Sequence, residues 1–116
     1  MRYISIFTHE GLNRPPTEAE MAAMGKLIED GMKAGWLIAT EGVQFGGAGV
    51  RIHRSPSGDV NVTDGPFSEA KEVIGGYALL RANSKAEVID LCRNFLQVAG
   101  QGTCEVHELF EPPAGK

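Results

Sequence analysis

The group in this chain best placed to move a proton is Asp64, in a tight turn with Glu69, Lys71 and Glu72 close by in sequence. They fall in the stretch Val62-Thr63-Asp64-Gly65-Pro66-Phe67-Ser68-Glu69-Ala70-Lys71-Glu72-Val73-Ile74-Gly75-Gly76-Tyr77. A carboxylate held beside an ammonium stays ionised and can act as a general base. Asp64 with Lys71 supplies such a pair if the turn folds back, and Gly65, Phe67 and Glu69 would then border the ligand. The same residues also have a structural use. An Asp before Gly-Pro accepts backbone N–H bonds, and Pro66 presets the first turn of a short helix. Glu69, Lys71 and Glu72 equally describe a solvated charged turn. At Asp64 the two uses are compatible.

His9, followed by Glu10, is the third catalytic candidate, because strand ends often border a cleft; the alternative is an exposed loop histidine. His9, His53 and His107 are spread over the sequence and lack the short spacing of metal pairs, so no metal site is read. The glycines at 42, 46, 47 and 49 lead into a strand and no Gly-Lys-Ser/Thr follows, which fits a strand connection better than a phosphate loop. Haem and flavin find no motif, and no cofactor is expected. Gly75-Gly76 suits close backbone approach at a strand start.

A length of 116 residues suits one domain with a real core. The net charge of −4 gives no attraction to nucleic acid or anionic membrane, so neither is expected as a partner. The apolar run from Tyr3 to Phe7 is too short for a signal or a membrane span. Cys92 and Cys104 each sit in an apolar periodic segment, which reads as two reduced thiols in a cytoplasmic protein, a disulfide being the alternative.

Periodicity supplies the elements that must hold these groups. Residues 2–8 read as a strand apolar on both faces. Thr17 and Glu20 form a capping box that opens a helix to about Ala34, with Met21, Met24, Ile28 and Met32 on one stripe. A strand over 36–40 follows, then a hairpin of 50–54 and 60–63 around a five-residue loop. Strand 77–82, a helix from Ser84 to about Val98 and strand 103–110 complete the chain. The order β-α-β, hairpin, β-α-β predicts a ferredoxin-like α+β sandwich with both helices on one sheet face. The opposite face also needs cover, and a second copy packed sheet against sheet provides it.

The segment from Thr63 to Gly76, with its Asp-Gly-Pro-Phe, its Glu and Lys-Glu and its Gly-Gly, resembles the signature of the DGPF branch of YCII-related proteins. The resemblance extends from Tyr3 to the last strand. It implies the same α+β sandwich and pairing as a dimeric α+β barrel. In the wider family a His early in the first helix and an Asp in the second are proposed as an active dyad. Here Met24 stands at the first position and the stretch from Arg93 to Phe95 offers no Asp. Any activity therefore falls to Asp64 and its neighbours. Two functional readings result: a small-molecule-binding protein using Asp64 in lyase- or isomerase-type proton transfer, or a non-catalytic ligand-sensing or structural module accompanying a regulatory partner.

Overall fold

A computed structural model describes residues 1–10, 16–43, 49–64 and 73–111. Strand β1 (Arg2–His9) leads to helix α1 (Glu18–Ala34) and strand β2 (Leu37–Gly42). The hairpin strands β3 (Val50–Arg54) and β4 (Val60–Asp64) come next. Strand β5 (Val73–Arg81), helix α2 (Lys85–Ala99) and strand β6 (Gly102–Glu108) finish the order.

Both helices begin where the sequence places a cap. Glu20 N donates to Thr17 Oγ1 at 3.1 Å while Thr17 N donates to Glu20 Oε1 at 2.8 Å, the reciprocal pair of a capping box. Ser84 Oγ accepts from Glu87 N at 3.2 Å at the start of α2. Gly35, with φ of 87°, ends α1 in the left-handed region that favours glycine.

The four main strands form one antiparallel sheet in the order β2-β5-β1-β6, the ferredoxin-like arrangement. The hairpin makes a separate two-stranded sheet. Strand β5 begins at Val73, four residues before the expected Tyr77, so Gly75 and Gly76 lie inside it. The apolar stretch after Tyr77 marks only the half of this strand that packs in the core. Its glycine-rich first half is strand because β1 and β2 pair with it.

Along β1, Tyr3, Ser5 and Phe7 are buried and alternate with half-buried Ile4, Ile6 and Thr8. The buried row faces the helices. Tyr3, Leu37, Leu80, Ala82, Val88 and Cys92 form the core cluster, with Ile28 and Trp36 packed against it. Most of it lies towards the start of β1 and of α2. Contrary to the stripe expected on α1, Met21 and Met32 are 53% and 46% exposed. The indole of Trp36 sits where a Cβ on Gly31 would be, 2.8 Å from two of its ring carbons, so the helix meets the sheet closely only at its C-terminal end.

Strand β5 must itself approach β2 closely. A Cβ on buried Gly76 would lie 2.6 Å from the carbonyl oxygen of Glu41. Gly76→Ala should therefore cost about 1–3 kcal/mol, as overpacking does. Gly25, inside α1 with nothing within 4 Å of such a Cβ, offers the contrast: Gly25→Ala should stabilise by about 0.5–1 kcal/mol. Urea midpoints of the two variants measure both effects, and an unchanged midpoint for Gly76→Ala would remove the close approach.

Candidate functional site

Where the core cluster thins, a cavity of about 830 Å³ opens between the two helices and the sheet. That size is in the range of small-molecule sites. Met24, Leu27 and Ile28 of α1 form one wall, and Leu91, Phe95 and Val98 of α2 form another. Phe7 and His9 of β1, with Gly75 and Gly76 of β5, make its floor. Most of the lining is apolar; Ser5, His9, Thr40 and the carboxylates Glu20 and Glu41 supply polar groups. The Thr40 hydroxyl is already engaged, donating to the Tyr77 carbonyl at 2.8 Å.

The imidazole of His9 is held by shape. It meets Phe7 edge-on, with ring centroids 4.7 Å apart at 76°, and Phe7 in turn meets Phe95 at 5.1 Å and 83°. Beneath it lies Gly75, where a Cβ would come within 2.7 Å of His9 Cδ2 and Nε2. The β1–β5 register skips here: Phe7 pairs with Gly76 and Thr8 with Ile74, leaving Gly75 as the extra residue of a bulge. Bulges re-aim side chains at the margins of sheets. This one leaves room for an imidazole on the floor of the cavity. His9 Nδ1 is buried and finds no hydrogen-bond partner among the described residues.

A second reactive group borders the same space. Cys92 of α2 lines the cavity, its Sγ 3.8 Å from Ser5 Oγ, and both Cys92 and Cys104 are free thiols. A hydrogen bond from Cys104 pulls the Cys92 thiol below its ordinary value; burial opposes it and the Ser5 hydroxyl helps. That bond, together with burial, pushes the Cys104 thiol up. The two thiols are thus coupled, and Cys92 is the member of the pair that borders the cavity.

Of the residues singled out in the sequence, His9 lines this cavity. Asp64 ends β4 opposite Val50, exposed, and is absent from the lining. Gly65, Phe67, Glu69 and Lys71 lie outside the described residues. His53 is exposed on β3, and His107 Nε2 is 2.7 Å from Glu105 Oε2 on β6, so the three histidines occupy separate places. Among the described residues no group of three or more His, Cys, Asp or Glu side chains could hold a metal ion. Sequence reasoning passed over Ser5 and Cys92 as cavity residues. Their signal was a polar side chain in the odd-numbered row of β1 and a thiol on the inward face of α2.

A family model described as the YCII-related domain matches residues 1–111. The chain belongs to the YCII-related family. No curated protein matches it. For this YCII-related domain the cavity is the structural starting point for function. No helix among the described residues is long and apolar enough to cross a membrane.

The thiol pair gives a direct check on the cavity. At pH 7, well under the ordinary thiol value of about 8.5, iodoacetamide should label Cys92 ahead of Cys104. Cys104→Ala should slow that labelling about tenfold, the worth of one hydrogen bond to a charged group. Peptide mass spectrometry over a pH series reads both rates. Labelling of Cys92 that begins only above pH 9 would contradict the arrangement.

Proposed function

We propose that this YCII-related domain binds a small metabolite with an aromatic or aliphatic body and one polar group, seated between the helices and the sheet. The observation that supports the reading is the cavity itself, mostly apolar in its lining and with His9 among its few polar residues. A ligand that hydrogen-bonds the imidazole gains an anchor, and the apolar walls supply affinity by desolvation.

The catalytic form of the proposal adds proton transfer of lyase or isomerase type by Asp64, which stands outside the lining of the cavity. The Asp-Gly-Pro-Phe segment that begins at Asp64 supports assignment to the DGPF branch. Ligand sensing without chemistry uses the cavity and needs only His9.

A thermal-shift screen of small aromatic and aliphatic metabolites tests the binding. His9→Phe keeps the edge-on contact with Phe7 and loses the ring nitrogens, so compounds that stabilise the wild type should bind it about tenfold more weakly, a loss of about 1.4 kcal/mol. Compounds that stabilise both proteins equally would end the proposal. Asp64→Asn separates the two forms: a catalytic Asp64 predicts turnover lowered by roughly 10²-fold with binding retained, while unaltered turnover leaves sensing.

A further inference from the structure

The chain has two cysteines, and the fold brings them to one place. Cys104 of β6 stands opposite Phe7 in the β1–β6 register. Directly opposed residues of an antiparallel pair share a face. Cys104 therefore belongs to the face beneath the helices, with Phe7 and Ser5. Cys92 reaches the same spot from α2. It is buried in the core cluster, Cys104 packs against that cluster, and Cys92 Sγ lies 3.8 Å from Ser5 Oγ. The two side chains also hydrogen-bond each other, and both thiols are free.

Their surroundings differ in a way that assigns roles. Cys92 lines the cavity and Cys104 does not, so a small solute entering that space meets Cys92 first. The hydrogen bond from Cys104 pulls the Cys92 thiol down to about 6, with burial opposing. The same bond, together with burial, pushes the Cys104 thiol up. The thiolate is the form that attacks peroxides and disulfides. An acidic, reachable thiol with a second thiol beside it is the arrangement that oxidises to a disulfide before the irreversible acids form.

We propose that Cys92 and Cys104 form a reversible oxidation site, in which a hydroperoxide entering the cavity oxidises Cys92 and Cys104 then closes a disulfide between α2 and β6. In the first step the Cys92 sulfur attacks one peroxide oxygen. An S–O bond forms, the O–O bond breaks, and the leaving oxygen takes up the thiol proton and departs as water when the oxidant is hydrogen peroxide. In the second step the Cys104 sulfur attacks the sulfur of the Cys92 sulfenic acid. The S–S bond forms, the S–O bond breaks, and the hydroxyl leaves with the Cys104 proton as a second water. Two thiols have then lost two electrons and one peroxide has gained them. A dithiol reductant reverses the change by thiol–disulfide exchange. The cross-link ties α2, one wall of the cavity, to the edge strand β6.

The test treats the reduced full chain with a slight excess of hydrogen peroxide. The intact protein should lose two hydrogens in mass and run without reductant as a single 12.4 kDa chain. Its circular dichroism should be unchanged, and dithiothreitol should restore both thiols. Cys104→Ser keeps a hydroxyl beside Cys92 and removes the second sulfur, so dimedone should capture a sulfenic acid on Cys92 there and none in the wild type. Cys92→Ser should lose its remaining thiol to peroxide about tenfold more slowly than the wild type loses its first. Two thiols that survive peroxide overturn the proposal, as does a gain of oxygen in place of the loss of hydrogen. A covalent two-chain band overturns it in favour of pairing between molecules. A rate that rises in sub-denaturing urea overturns it by placing the chemistry in the unfolded chain. Should either variant fail to fold, the mass, band and urea measurements on the wild type decide alone.

Discussion

Strand β1 is hydrogen-bonded on both sides, to β5 and to β6, and its alternation sets what each face of the sheet can be. Tyr3, Ser5, Phe7 and His9 share the row beneath the helices, while Ile4, Ile6 and Thr8 share the other. A slip of one residue would exchange the two sets. The register is therefore tied to the core through Tyr3 and to the cavity through Phe7 and His9. The one irregularity against β5, at Gly75, occurs beside the imidazole, where a regular ladder with any larger residue would collide with the ring.

Two helices cover a four-stranded sheet only if both lie flat on it. Helix α2 does so through Val88 and Cys92, which are buried. Helix α1 is pinned at its C-terminal end by Trp36 over Gly31, and nearer its start Met24 and Leu27 face open volume. The gap is a product of packing: bulk at the Trp36 end props the helix, and glycines on the opposing strand fill no space. Such geometry suits a binding role, since ligand atoms can supply the contacts that side chains do not.

Much of the fold was legible in the sequence because it rests on local chemistry. Thr17 with Glu20, Ser84 at the start of α2 and Gly35 at the end of α1 announce the helices through hydrogen bonds between near neighbours. The hairpin announces itself by alternation around Ser55 to Asp59. The beginning of β5 was missed because Gly75 and Gly76 have no strand preference of their own; pairing with β1 and β2 makes them strand. Burial of Met21 and Met32 was overread because helical spacing tells which residues share a stripe and not how closely the stripe is pressed. At the cavity, His9 could be picked out by its place at a strand end. Ser5 and Cys92 could not, because their juxtaposition joins the first strand to the second helix. Asp64 drew notice through turn chemistry, which concerns its own neighbourhood and says nothing of distant walls.

The strand order has a consequence for how the chain reaches this state. Arg2 pairs with Arg81 and Tyr3 with Glu108, so the central strand is joined to partners far along the chain. Contacts of such high order must overcome a large loop-closure entropy before they give anything back, and folding is correspondingly slow. During synthesis β1 leaves the ribosome early yet has no ladder to enter until β5, and then β6, emerge. At about 5–20 residues per second that interval lasts several seconds. Through it the apolar run from Tyr3 to Phe7 is an unpaired strand, open to association with other nascent chains.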